Sequence, residues 1–111
     1  MTVTVTVLVP AQTINNTQTT MYTATGVTAI IDKFTATNYS GTAATISVNL
    51  VTSGGTAGNN DLIVKTKTLQ ASETYTFPEL VGHVLRPGGF ISTLAGTASA
   101  INIRVSGREV T

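Results

Sequence analysis

The chain has 111 residues, of which 10% are charged, and six basic residues against five acidic ones give a formal net charge of +1. This length fits one domain, residues 1–111, with a single core. The near balance of charges argues against a nucleic-acid-binding surface, because phosphate binding needs a basic excess. The absence of cysteine excludes disulfides, thiolate catalysis and thiolate-bound zinc.

The low charge content has two readings. Ordinary soluble domains carry roughly a quarter charged residues, and a net charge near zero favours association. The composition therefore predicts that other subunits cover much of the surface. A threonine-rich polar surface that stays soluble without charge is the alternative.

The segment MTVTVTVLVP has no basic region or cleavage site, so we expect no signal peptide. No apolar run reaches the ~20 residues of a membrane span.

Residues 2–9 alternate with a period of two, which predicts a strand that ends at Pro10. One face carries Val3, Val5, Val7 and Val9, and the other carries Thr2, Thr4, Thr6 and Leu8. Both faces suit a β-sheet, because threonine and valine are β-branched. The segment is either the first strand of its own sheet or an N-terminal arm, residues 1–10, that pairs with the open edge of a neighbouring subunit.

Further strands are predicted at residues 20–24, 27–39 and 45–51. The alternation slips near Asp32 and Lys33, which predicts a bulge. In the third of these strands we expect Ile46, Val48 and Leu50 to face inward and Thr45, Ser47 and Asn49 to face outward. Residues 53–61 are too rich in glycine and small polar residues for regular structure, so we expect an exposed loop. Residues 62–69 resume as a strand, with Lys65 and Lys67 expected on one face.

The stretch QASETYTFPELVGHVLRPGGF, residues 70–90, is predicted to be a rigid corner. Pro78 ends a strand, Tyr75 and Phe77 anchor the core, and Pro87 begins a Pro-Gly-Gly turn. Strands at 90–95 and 101–110 follow, with a bulge or bend at Gly107. No segment has helical periodicity. The sequence predicts an all-β fold of about seven to nine strands: a small antiparallel β-sandwich, jelly-roll-like, or a partly closed barrel.

The chain offers few groups for catalysis or metal binding. His83 is the only imidazole, and we expect a half-buried histidine bonded to the backbone. No two of the five carboxylates form a recognisable acid/base pair. The glycines at 54, 55 and 58 lack the Lys-Ser/Thr of a phosphate-binding loop. We therefore expect no enzyme activity, no cofactor and no metal.

Three stretches make up most of residues 27–110: TATNYSGTAATISVNLVTSGG, LIVKTKTLQASETYTFPELVGHVLRPGGFI and INIRVSGREV. Through these stretches the chain resembles a group of small virion proteins of tailed bacteriophages. The resemblance implies a structural protein that is made in the host cytoplasm and decorates or cements the outer surface of the icosahedral capsid. Its implied partners are the major capsid protein and further copies of itself, with a trimer favoured. A tail, baseplate or fibre module that seals a junction or binds a host glycan is the alternative.

Three segments are the candidate contact surfaces: the first strand, the loop at 53–61 and the loop at 79–89. They were chosen from their own composition and are not recognised family sites. The candidate interaction residues are Val3, Val5, Val7, Val9, Gly54, Gly55, Asn59, Asn60, Asp61, Glu79, His83 and Arg86.

Overall fold

The computed structural model describes residues 1–111 and contains nine strands in two antiparallel sheets. The strands are β1 (Val3–Thr13), β2 (Thr19–Thr23), β3 (Thr28–Asn38), β4 (Ala44–Val51), β5 (Leu62–Leu69), β6 (Thr74–Thr76), β7 (Val84–Leu85), β8 (Phe90–Ala95) and β9 (Ile101–Val110). The first sheet has the order β1-β9-β3-β6, with β7 also paired to β3, and the second has the order β2-β8-β4-β5. The predicted all-β sandwich is confirmed, and the sheets do not close into a barrel. The structure has no helix long and apolar enough to span a membrane.

The core lies between the sheets because alternate residues of the central strands point inward. Ile46 and Val48 of β4 and Ile103 and Val105 of β9 are buried, as their alternation predicts. Phe34 joins them from β3. Each such side chain stabilises the fold by about 1.5–3 kcal/mol relative to an exposed one. The hydrophobic pattern of the central strands thus accounts for the two-layer arrangement.

The first strand differs from its prediction in length and in register. β1 runs through Pro10 to Thr13, and the proline is tolerated because β1 is an edge strand. Its pairing with β9 slips between Val7 and Val9, so the two neighbours Leu8 and Val9 are both buried, Val9 completely (0% exposed). Val9 is therefore not a surface contact, and the prediction for it is wrong. Residues 3–13 belong to the chain's own sheet.

Gly107 of β9 lies where the neighbouring strands on both sides have bulges. The predicted slip near Asp32 is confirmed as a register shift between Ile31 and Lys33, and the bulge at Leu8 lies on the other side. A Cβ atom at Gly107 would overlap the Ile30 carbonyl oxygen and lie 2.9 Å from Leu8 Cδ1. The backbones of β9 and β3 therefore lie too close together at this point for any residue with a side chain at position 107.

β5 carries a bulge that the sequence did not predict. Thr66 has φ of +45°, and the register with β4 shifts between the pairs Ile46–Lys67 and Val48–Val64. Lys67 therefore lies on the inward side opposite buried Ile46, with Nζ 4.5 Å from the centroid of the Tyr75 ring. Lys65 faces the other way, so the prediction that the two lysines share a face is wrong.

A single side-chain hydrogen bond joins β2 of the second sheet to β9 of the first. Tyr22 Oη donates to the Glu109 carboxylate over 2.5 Å. Partial burial of the ring, and then the hydrogen bond and negative charge of Glu109, raise the pKa of Tyr22 well above its ordinary value. The proton is held on the phenol, and the link closes one end of the sandwich.

Replacing Gly107 with alanine should lower the free energy of unfolding by about 2–4 kcal/mol, because the backbone carbonyl of Ile30 cannot move without breaking the sheet. Gly41→Ala is the matched control. Nothing lies within 4 Å of its Cβ position, so we expect a change below about 0.5 kcal/mol. Urea unfolding measures both, and equal effects would contradict the close approach at Gly107.

The Tyr22–Glu109 link should weaken in alkali. An unfolded tyrosine ionises near pH 10, whereas folded Tyr22 keeps its proton to higher pH. The link thus stabilises the fold below about pH 10, and its contribution is lost as the pH rises above that value. Urea unfolding between pH 8 and pH 11 should show a smaller loss of stability for Tyr22→Phe than for the unchanged protein. Equal losses would contradict the raised pKa.

Candidate interaction surface

An apolar patch covers one end of the outer face of the first sheet. Strand register defines it, because directly paired residues point to the same side. Val3 pairs with Val110, and Val5 begins a row that crosses the sheet through Arg108 and Ile30 to Val84. The apolar patch consists of Val3, Val5, Val7, Ile30, Val84 and Val110. It brings together residues from four strands, β1, β9, β3 and β7.

The patch is exposed to a degree unusual for valine. Val5 is 81% exposed, Val3 52% and Val84 50%, whereas Ile30 and Val110 are half-buried. A cluster of exposed apolar side chains, here interrupted by Arg108, is a feature of interaction sites on soluble proteins. Sequence reasoning found Val3, Val5 and Val7 through their alternation. It missed Ile30, Val84 and Val110, because only the pairing of distant strands brings them beside β1.

One ion pair lies within the patch. The Arg108 guanidinium donates from Nη2 to Asp32 Oδ1 over 2.9 Å and from Nε to both carboxylate oxygens over 3.2 and 3.0 Å. The hydrogen bond to Asp32 and its negative charge raise the pKa of Arg108. Asp32 is the bulge residue of β3, and no other residue pair in the chain forms a salt bridge. The pair cancels its own charge, so the patch presents little net field.

The corner segment supports the apolar patch from one side. Phe77 is completely buried, with its ring 5.3 Å from Phe34 and 4.7 Å from Tyr75, both edge to face. The backbone of β3 also holds the corner, since Ile31 accepts from the Gly82 N–H over 2.7 Å and donates to the His83 carbonyl over 3.0 Å. The predicted anchoring by Tyr75 and Phe77 is confirmed. These bonds fix the position of Val84 on the outer face.

Of the three predicted residues of the corner, His83 and Arg86 line a common cleft and Glu79 does not. Glu79 is exposed and accepts a hydrogen bond from Tyr75 Oη over 3.1 Å. His83 and Arg86 line a cleft of about 220 Å³ whose apolar wall includes Leu50 and Ile63. His83 is exposed, and only its main chain is hydrogen-bonded, so the predicted half-buried histidine is wrong. The corner ends at a turn where Gly88 leads into β8 of the second sheet.

The loop at 53–61 lies on the opposite face of the sandwich. Asn49 of β4 donates to Asp61 Oδ1 over 2.6 Å and to the Gly58 carbonyl over 2.9 Å, and it accepts from Gln18 over 3.3 Å. Ser47 and Asn49 lie on the outer face of the sheet, as predicted, but both are buried there. The loop covers the outer face of the second sheet and leaves a cavity of about 200 Å³ above β4.

Most of this loop is exposed, as predicted, but it contains one turn of 3-10 helix at Asn59–Asp61. Gly54, Gly55, Asn59 and Asn60 are exposed, whereas Asp61 is held by Asn49 and by the Gly58 N–H. The outer faces of the two sheets point in opposite directions. The loop and the apolar patch therefore cannot contact the same flat surface, and the predicted contact residues divide into two groups.

No three residues of the types histidine, cysteine, aspartate and glutamate lie together as a metal-binding group. Comparisons of the chain with models of known families, with curated proteins and with solved structures found no match.

Asn49 should be essential for the position of the loop. Asn49→Ala removes the hydrogen-bond partner of Gln18, Asp61 and the Gly58 carbonyl at a site that is only 2% exposed. Because these groups would then be left without that partner, we expect the free energy of unfolding to fall by about 2–3 kcal/mol. Asn60→Ala, at an exposed position of the same loop, should change it by less than about 0.5 kcal/mol. Urea unfolding and limited proteolysis of the loop measure the difference. A loop equally resistant in both variants would contradict this role.

Proposed function

We propose that the chain is a structural protein of a bacteriophage particle, not an enzyme. It binds the outer surface of the icosahedral capsid and bridges major capsid subunits. The apolar patch is the observation that supports a binding role. The resemblance of residues 27–110 supports the assignment to a phage virion.

The patch has the composition of the centre of an interface. Its valines and isoleucine are held on a five-stranded sheet, so little conformational entropy is lost when a partner covers them. Val5 is 81% exposed, so covering it fully contributes about 1.5 kcal/mol or more to the free energy of binding. Charged residues are usually depleted from interface centres; the two charged residues within the patch, Asp32 and Arg108, are paired with each other.

Such a protein stabilises a capsid by mass action. Each copy binds the assembled lattice and not the separate subunits, so its binding free energy adds to the stability of the assembled state. A rigid β-sandwich suits this task, because a bridge that bends would not transmit load between the subunits it joins. The repeated lattice supplies many equivalent sites, so a modest free energy per copy adds up over the particle.

The apolar patch also implies how binding responds to salt. An interface that depends on charge weakens as ionic strength rises, because the Debye length falls from ~10 Å at 0.1 M to ~3 Å at 1 M. The present chain has a net charge of only +1. We therefore expect its attachment to the capsid to persist at high salt.

The test is to add the purified protein to capsids assembled without it and to measure bound copies by sedimentation and particle imaging. Val84→Lys places a charge in the patch at a position that is 50% exposed and should reduce binding by about tenfold or more. Asn60→Lys adds the same charge on the opposite face and should bind normally. Thermal unfolding checks that both variants are folded.

Binding of Val84→Lys at the level of the unchanged protein would show that the patch is not the contact surface. Imaging of the native particle tests the location directly. If imaging shows density for the chain only on the tail, the capsid role is wrong and the chain is a tail, baseplate or fibre module.

A further inference from the structure

The four edges of the two sheets differ in how well they are protected against pairing with another chain. β6 has three residues and is followed directly by buried Phe77 and by Pro78, and β2 has five residues with a register shift. β5 has two lysines and a bulge at Thr66. Lysine, bulges, proline and short length are the usual means by which proteins block a sheet edge. Three of the four edges thus have at least one of these features.

β1 is the exception over half of its length. Its distal half has bulges on either side of Val9 and carries Pro10, so that half is blocked. From Val3 to Val7 the pairing with β9 has no register shift, and no side chain between residues 2 and 13 is charged. From residue 8 onward β1 is therefore protected against pairing with another chain. Residues 3–7 are regular and uncharged, and their edge is open to a further strand. A protein that needed only to avoid association would have both halves protected.

The hydrogen bonds at the start of β1 show which backbone groups are free. Thr2 and Thr111 exchange both main-chain bonds, over 3.2 and 3.0 Å. In an antiparallel pair, bonded and non-bonded residue pairs alternate. The N–H and C=O groups of Val3, Val5 and Val7 therefore point away from β9, towards the open edge. Their side chains lie on the outer face, in the apolar patch.

We infer that this edge pairs with the same edge of a second copy, antiparallel, about a twofold axis at Val5. Val5 then lies opposite Val5 of the other copy, and Val3 lies opposite Val7. Every free N–H of these three residues meets a free C=O, and the two first sheets become one continuous sheet. With the axis perpendicular to that sheet, both apolar patches face the same side. The inference does not depend on the capsid role.

The second copy is favoured over other occupants because the edge is complementary to itself. Its alternating valines and threonines match when the strand is reversed about Val5, so valine meets valine and threonine meets threonine. The nearest charges across the axis are the two Arg108 side chains, about 14 Å apart at three strand spacings, and each is paired with Asp32. A trimer joined by strand pairing would need a second regular and unprotected edge, and each of the other edges is short, bulged or carries lysine.

Sedimentation velocity of the full chain tests the inference. An edge of five residues is smaller than a standard interface of roughly 800 Å² per partner, so we expect a dimer with a dissociation constant on the order of 1–100 µM. Val5→Lys places like charges directly opposite each other and should weaken the dimer by about tenfold or more. Lysine is tolerated in the fold because Val5 is 81% exposed. Val84→Lys, which lies three strands from the edge, should leave the dimer unchanged.

Two variants with opposite charges at residue 5 test whether Val5 lies opposite Val5 of the second copy. Val5→Glu alone should weaken the dimer in the same way. At a concentration where each variant alone is monomeric, an equimolar mixture of Val5→Lys and Val5→Glu should re-form a dimer in sedimentation velocity, and that dimer must be mixed. A chain that is monomeric up to about 500 µM, far above the expected dissociation constant, overturns the inference, as does a trimer. It is also overturned if Val5→Lys leaves the dimer unchanged or if the mixture fails to associate. Each outcome is independent of capsid binding, which Val84→Lys reports.

Discussion

The close approach of the β3 backbone and of the Leu8 side chain to Gly107 is the constraint on which the first sheet depends. β9 lies between β1 and β3, and a side chain at residue 107 would overlap the Ile30 carbonyl oxygen. Both neighbours accommodate the approach with an extra residue, Leu8 on one side and Asp32 on the other. The bulge at Leu8 turns both Leu8 and Val9 into the core. The bulge at Asp32 allows its carboxylate to reach Arg108. The burial of Leu8 and Val9 and the single ion pair thus both follow from the bulges that flank Gly107.

That constraint also separates the two halves of β1. At the bulge Leu8 and Val9 are buried, whereas residues 10–13 are exposed and irregularly paired, and Pro10 removes a donor from the edge. Before the bulge the strand is regular, and it presents valine side chains on the outer face and free backbone groups at the edge. The apolar patch and the open edge are therefore adjacent surfaces of the same few residues. A partner that covers the patch and a second copy at the edge can be bound together, because one uses side chains and the other uses the main chain.

The outer face of the second sheet, unlike that of the first, is polar and covered by the chain itself. It carries Asn49, Ser47 and Ser92, which are buried beneath the loop at 53–61 and beside Gln18. Their hydrogen bonds are almost all internal, so this face is closed by its own loop and not by a partner. One sheet thus completes its outer face within the chain and the other leaves it open. This asymmetry, more than the low charge content, distinguishes a binding surface from an ordinary polar surface.

The sequence by itself determined the fold class, because period-two alternation in 45–51 and 101–110 is a local property that burial selects directly. It also determined the bulge near Asp32 and the corner anchored by Phe77. The tertiary structure alone decided which residues share a face. A bulge shifts every later side chain to the other side, so Val9 and Lys67 could not be placed from their spacing. The alternation predicts that Asn49 faces outward, and only its contacts with Gly58 and Asp61, nine and twelve residues away, bury it. Val84 and Val110 join Val5 through strand pairing between distant parts of the chain, which no local pattern encodes.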